Sequence, residues 1–128
     1  MEYQIKILRG LDRGNYVIMF IRGSMDIAAF RRVLDKLVEA TQSFLDCKIL
    51  IDFQDCKCQF LPSDVAQIAL TFDFTAWPHS NKIALVSSPD KEQYRHLVIL
   101  SDCLLDLKID VSVFDEMRDA ISWLARGG

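Results

Sequence analysis

Apolar and polar residues alternate over residues 3–8, as they do along a half-buried β-strand. Residues 10–14 carry turn chemistry, with Gly10 and Gly14 free to take positive φ. Residues 16–21 are a continuous apolar run, which predicts a strand buried on both faces and paired antiparallel with the first. Ser24 is the expected N-cap of a helix starting near Met25, with Asp26 favourable in its first turn. Ile27, Phe30, Val33, Leu34, Leu37 and Val38 recur at helical spacing, and Arg31, Arg32, Asp35, Lys36 and Glu39 mark the opposite, solvated face. Residues 47–53 read as a third strand and residues 54–61 as a loop. Ser63 is placed to cap a second helix through Val65, Ile68, Ala69 and Phe72, ending before Pro78.

Residues 82–86 predict a fourth strand. Ser88, Pro89 and Asp90 then supply a capping hydroxyl, a proline at the first helical position and an acid. Tyr94, Leu97, Val98 and Leu104 form that helix's expected apolar face. Ile109, Val111 and Val113 alternate with Asp110 and Ser112, which predicts an edge strand. Asp115 is the expected cap of a last helix that buries Met117, Ala120, Ile121 and Leu124. The order is β-β-α-β-α-β-α-β-α. Helical crossovers make neighbouring strands parallel, so the expected fold is α/β with a mixed, mostly parallel five-stranded sheet and four helices.

Composition narrows the classes of function. The 128 residues fit one domain, taken as residues 1–128, and 51% hydrophobic residues suffice for a core. A net charge of -3 argues against a general nucleic-acid binder, which needs clustered cations to displace counterions. No apolar run approaches the roughly 20 residues that span a bilayer. The first residues lack the basic and apolar regions of a signal peptide, so a cytoplasmic protein is expected. In that compartment Cys47, Cys56, Cys58 and Cys103 are expected as free thiols.

The element order and lengths resemble the STAS, or SpoIIAA-like, family of bacterial anti-sigma factor antagonists and their relatives. Residues 82–86, 111–115 and 119–124 carry the resemblance best, with a strand ending in Phe114 and Asp115 before a helix containing Ala120, Trp123 and Leu124. In the antagonists, a serine that opens the second helix is phosphorylated by a partner kinase, and this breaks partner binding. The resemblance places Ser63 at that position. Pro62 stands where the family has Asp, and Asp64 and Val65 replace small residues. Proline fixes φ and removes a donor, so a kinase would meet a different backbone. The resemblance thus implies a non-enzymatic regulatory or binding module with a degenerate phosphoacceptor motif.

Beside that role, Ser63 has an ordinary one as a helix cap. Ser24, Asp55, Ser63 and Ser88 fall at one end of the sheet, where helix N-termini could hold an anion; independent capping explains the serines equally well. Phe72, Phe74 and Trp77 put aromatics on more than one face of the second helix, as a surface for a protein partner or a second copy would; core packing is the alternative. A small apolar ligand or lipid is the second reading, in a pocket framed by Phe60, Phe72, Phe74 and Trp77. An enzyme is the third, requiring Asp52, Asp55, Cys56 or Ser63 to meet a base in a cleft. Cys56 and Cys58, with Cys47, Cys103, His79 and His96, match no zinc spacing, so neither metal nor cofactor is expected.

Overall fold

The computed structural model describes residues 1–11, 14–42, 47–59, 61, 63–64, 66–67, 82–106 and 109–126. Five strands form one sheet in the order β1-β2-β3-β4-β5: β1 Glu2–Leu11, β2 Gly14–Met25, β3 Cys47–Cys58, β4 Lys82–Val86 and β5 Asp110–Phe114. β1 and β2 are antiparallel, and every later pairing is parallel. Among the described residues the helices are α1 Ile27–Thr41, α2 Lys91–Asp106 and α3 Met117–Ala125. Of the expected second helix, Ser63, Asp64, Ala66 and Gln67 are described, and they are helical.

Register assigns every strand residue to a face. Val17, Ile49, Ile83 and Val111 lie in one row, and Met19, Ile51 and Leu85 in the next. These residues and Phe53 form the front face. α1 covers it with Phe30, Val33, Leu34 and Leu37, and α2 with Leu97, Leu100 and Leu104. The back face carries Leu50, Ala84 and Val86 beneath Ala120 and Leu124 of α3. The small Ala84 and Ala120, both fully buried, let α3 lie close to the sheet. Trp123 closes its flank against Phe114, ring centroids 5.7 Å apart, with Lys82 Nζ 4.6 Å above the indole. Helices therefore lie on both faces, α1 and α2 in front and α3 behind.

Several expected boundaries and caps are corrected. β3 does not end at Phe53. Phe20 pairs with Asp52 but Arg22 with Asp55, so β3 spends one residue more than β2 over this step. That is a bulge, and it leaves both Gln54 and Asp55 exposed before burial resumes at Cys56 and Cys58. β2 likewise runs on to Met25, through Gly23 at φ +92°, a conformation that glycine adopts without a Cβ penalty. Ser24 consequently lies in the strand. Asp26 caps α1 instead, its Oδ1 accepting from Ala29 N at 2.8 Å. Asp90 rather than Ser88 caps α2, accepting from Glu92 N at 2.9 Å. The residue preceding α3 is Glu116, not Asp115, and its side chain makes no capping bond. Ile121, expected in the core, is 52% exposed, and Tyr94 is exposed on α2.

Candidate binding face on the open half of the sheet

α3 covers the β3–β5 half of the back face. Toward β1 the same face stays open among the described residues, and register builds it row by row. Lys6 lies beside Ile18 and Leu50, Gln4 beside Phe20 and Asp52, and Glu2 beside Arg22 and Asp55. Of these, Glu2, Gln4, Lys6, Phe20, Arg22, Asp52 and Asp55 line a shallow cavity of about 310 Å³. Lys6 Nζ stands 5.7 Å from the centre of the Phe20 ring, a cation held over an aromatic face. Lys48 sits similarly over Tyr16, at 5.5 Å. The half-buried aromatics of this face are thus overlain by lysine stems and ammonium groups. Acidic Glu2 and Asp55 flank basic Arg22 in register, so the cavity presents both signs of charge around Phe20.

Asp52 is the buried polar member of this face. Its Oδ1 accepts from Gln54 N at 2.8 Å, across the bulge. Burial pushes its carboxyl above the ordinary aspartate value; the Gln54 N–H opposes this, and the nearby Asp55 charge adds to it. A carboxyl with a raised folded pKa stabilises the fold below its unfolded pKa, and that contribution is lost as pH rises through the folded value. Asp52→Asn keeps an acceptor for Gln54 and removes the buried charge. It should stabilise the protein at neutral pH by roughly 0.5–2 kcal/mol. The gain should shrink as pH falls toward 3.8, the unshifted aspartate value. Urea unfolding of both proteins at neutral and acid pH checks this; a gain equal at both pH values contradicts it.

The residues of the enzyme reading are pulled apart. Asp52 and Asp55 belong to the back face, whereas Cys56 and Cys58 are buried in the front core. Those two thiols are hydrogen-bonded to one another. Accepting from Cys58 lowers the Cys56 thiol against its burial, while donating to Cys56, together with burial, pushes Cys58 far up. Cys47 is also buried in that core. The carboxylates and the described thiols therefore face opposite sides of one strand. Among the described residues no group of three or more His, Cys, Asp or Glu side chains is placed to hold a metal ion.

The serines expected to share an anion-binding end also differ in setting. Ser24 is exposed in β2 and pairs with Lys57, and Ser63 is exposed in helical backbone. Ser88 is buried, and its Oγ has no hydrogen-bond partner among the described residues. Asp55 is exposed beside Arg22. A hollow between the end of β3 and the start of α2 is lined by Lys57, Asp64, Asp90, Glu92 and His96 among others. Its three acids against one lysine give it the wrong sign for an anion. Asp64 closes the turn there, Oδ2 accepting from Leu61 N at 2.9 Å. Phe60, Phe72, Phe74, Trp77 and His79 lie outside the described residues. Lys6, Phe20 and Arg22 went unnoticed in the sequence; the signal was the alternation around Gln4 and Lys6, readable only once the hairpin register is known.

A mixed five-stranded sheet with helices on both faces, entered through an antiparallel hairpin, defines an α/β class of small modules. The sequence matches the SpoIIAA-like family over residues 16–125, and the chain belongs to that family. In structure it is similar to an uncharacterised protein of the DUF3478 family with a SpoIIAA-like fold from Shewanella loihica PV-4. That match has 15% identity and a TM-score of 0.54, covering 95% of this chain and 93% of that one. The anti-sigma factor antagonist SpoIIAA in its unphosphorylated form aligns with 12% identity and a TM-score of 0.49, over 98% of this chain and 100% of that one. A search of curated proteins found no match.

Proposed function

We propose that this protein is a non-catalytic binding module that recognises a protein partner through the open half of its back face. One observation carries the reading: Phe20 sits half-buried in a shallow, solvent-facing cavity ringed by Lys6, Arg22, Glu2 and Asp55. An aromatic anchor inside a charged rim is the anatomy of a protein contact. An apolar ligand or lipid would need a deeper, apolar lining. The divergence of Asp52 and Asp55 from the buried thiols argues against catalysis in the same region. Membership of a family that includes an anti-sigma factor antagonist agrees with a regulatory partner. The aromatic helix surface expected at Phe72, Phe74 and Trp77 is a second part of this reading, resting on sequence alone. Among the described residues, no helix is long and apolar enough to cross a membrane.

The test is photo-crosslinking in cells, with a photoreactive residue placed at Ser24 on this face and, as control, at Ile121 on the exposed side of α3. A discrete adduct with another protein is expected from position 24 alone, and Arg22→Glu should reduce it several-fold while leaving the melting temperature unchanged. Absence of an adduct, or the same adduct from both positions, would defeat the reading. An adduct of twice the chain's own mass would report self-association instead.

A further inference from the structure

β1 ends the sheet, and its outer edge is paired with no other described strand. Natural proteins shield such edges, because a row of unpaired N–H and C=O groups is a template for another strand. Here the edge runs ten residues, against five for β5 at the opposite side. Its pairing with β2 is regular from Glu2 to Leu8 and becomes irregular only beyond. Tyr3 and Ile7, on its front side, are 44% and 39% exposed, beyond the cover of α1.

We infer that two copies of this chain pair antiparallel through β1, about a two-fold axis at Gln4, to form one continuous sheet. The sequence around Gln4 is complementary to itself. On the back face this register sets Glu2 opposite Lys6 of the partner subunit and Lys6 opposite Glu2 of the partner subunit. On the front face it sets Tyr3 opposite Ile5 of the partner subunit, and Met1 opposite Ile7 of the partner subunit. Two ion pairs form on one face while exposed apolar side chains are covered on the other. Glu2 then lies between Arg22 of its own chain and Lys6 of the partner subunit.

Neighbouring registers form neither ion pair. An axis at Ile5 puts Glu2 against an apolar Leu8. An axis at Lys6 sets two ammonium groups face to face, and an axis at Tyr3 sets Glu2 against an uncharged Gln4. A two-fold axis normal to the sheet keeps front on front and back on back, as an isologous contact requires. Lys6 would disfavour a strand without an acid at that position, and this chain's own Glu2 supplies one, so the edge suits a second copy.

Sedimentation equilibrium over a concentration series tests the pairing. Wild type should dimerise reversibly. Lys6→Glu and Glu2→Lys should each weaken the dimer by roughly tenfold or more, since two attractive pairs become repulsive. An equimolar mixture of the two variants should recover a heterodimer close to wild type in affinity, because every reversed charge then meets its opposite. Gln4→Lys, which brings two like charges together at the axis and leaves the front face untouched, gives the same readout should either reversal fail to fold. A monomeric wild type, a dimer indifferent to these substitutions, or a mixture that does not recover pairing would overturn the inference.

Discussion

Phe53→Ala is expected to cost about 3–5 kcal/mol of folding stability and to lower the melting temperature by roughly 10–25 °C. Phe53 is fully buried and is the last front-face residue before the β3 bulge. Its ring lies 6.4 Å from that of Phe30, tilted by 45°, so it joins α1 to the middle of the sheet. Truncation removes the transfer free energy of a phenyl group and leaves a cavity walled by the sheet and α1, elements too regular to collapse inward. Phe53→Leu keeps most of the volume and should cost less than about 1.5 kcal/mol. Urea unfolding with a shared slope measures both. A loss below about 1 kcal/mol for the alanine variant would show that α1 settles onto the sheet without the ring.

The same residue shows why the sequence yielded one part of the fold and withheld another. The antiparallel hairpin, the parallel crossovers and the edge position of β5 follow from alternation and element order, and the structure has all three. The apolar run over residues 16–21 was read as buried on both faces; Val17, Met19 and Ile21 are buried, but Tyr16, Ile18 and Phe20 only half so. An apolar residue on a sheet face does not reveal whether a helix lies above it. Beyond Phe53, polar Gln54 and Asp55 look like a loop because a bulge shifts the phase of burial by one residue. The alternation of Cys56, Lys57 and Cys58 then resumes as strand. Helix starts failed for another reason. Serine and aspartate both cap, and in two helices an aspartate two residues after the serine took the position. The open face was illegible because its members come from three strands and meet only through register.

Gln93→Ala is expected to destabilise the protein by about 1–3 kcal/mol, and the loss should appear first at the end of β3. Gln93 is 8% exposed on α2, and its Oε1 accepts from Cys58 N at 3.1 Å, across 35 residues of sequence. Cys58 is the last residue of β3, in register with Met25 at the end of β2. An alanine leaves that buried N–H without an acceptor, and water reaches it only if the strand end opens. Amide exchange at Cys58 should therefore accelerate, while Ile49 and Ile51 in the middle of the strand keep their protection. The Cys58 thiol, shielded in the front core, should also become more reactive toward a disulfide reagent. Gln93→Glu separates the bond from the charge: it restores an acceptor but buries a carboxylate, so it should rescue exchange at Cys58 better than it rescues stability. Unchanged exchange at Cys58 in the alanine variant would mean that pairing with β2 alone holds the strand end. Accelerated exchange would identify Gln93 as the tie between α2 and the stretch of chain that leads to Ser63.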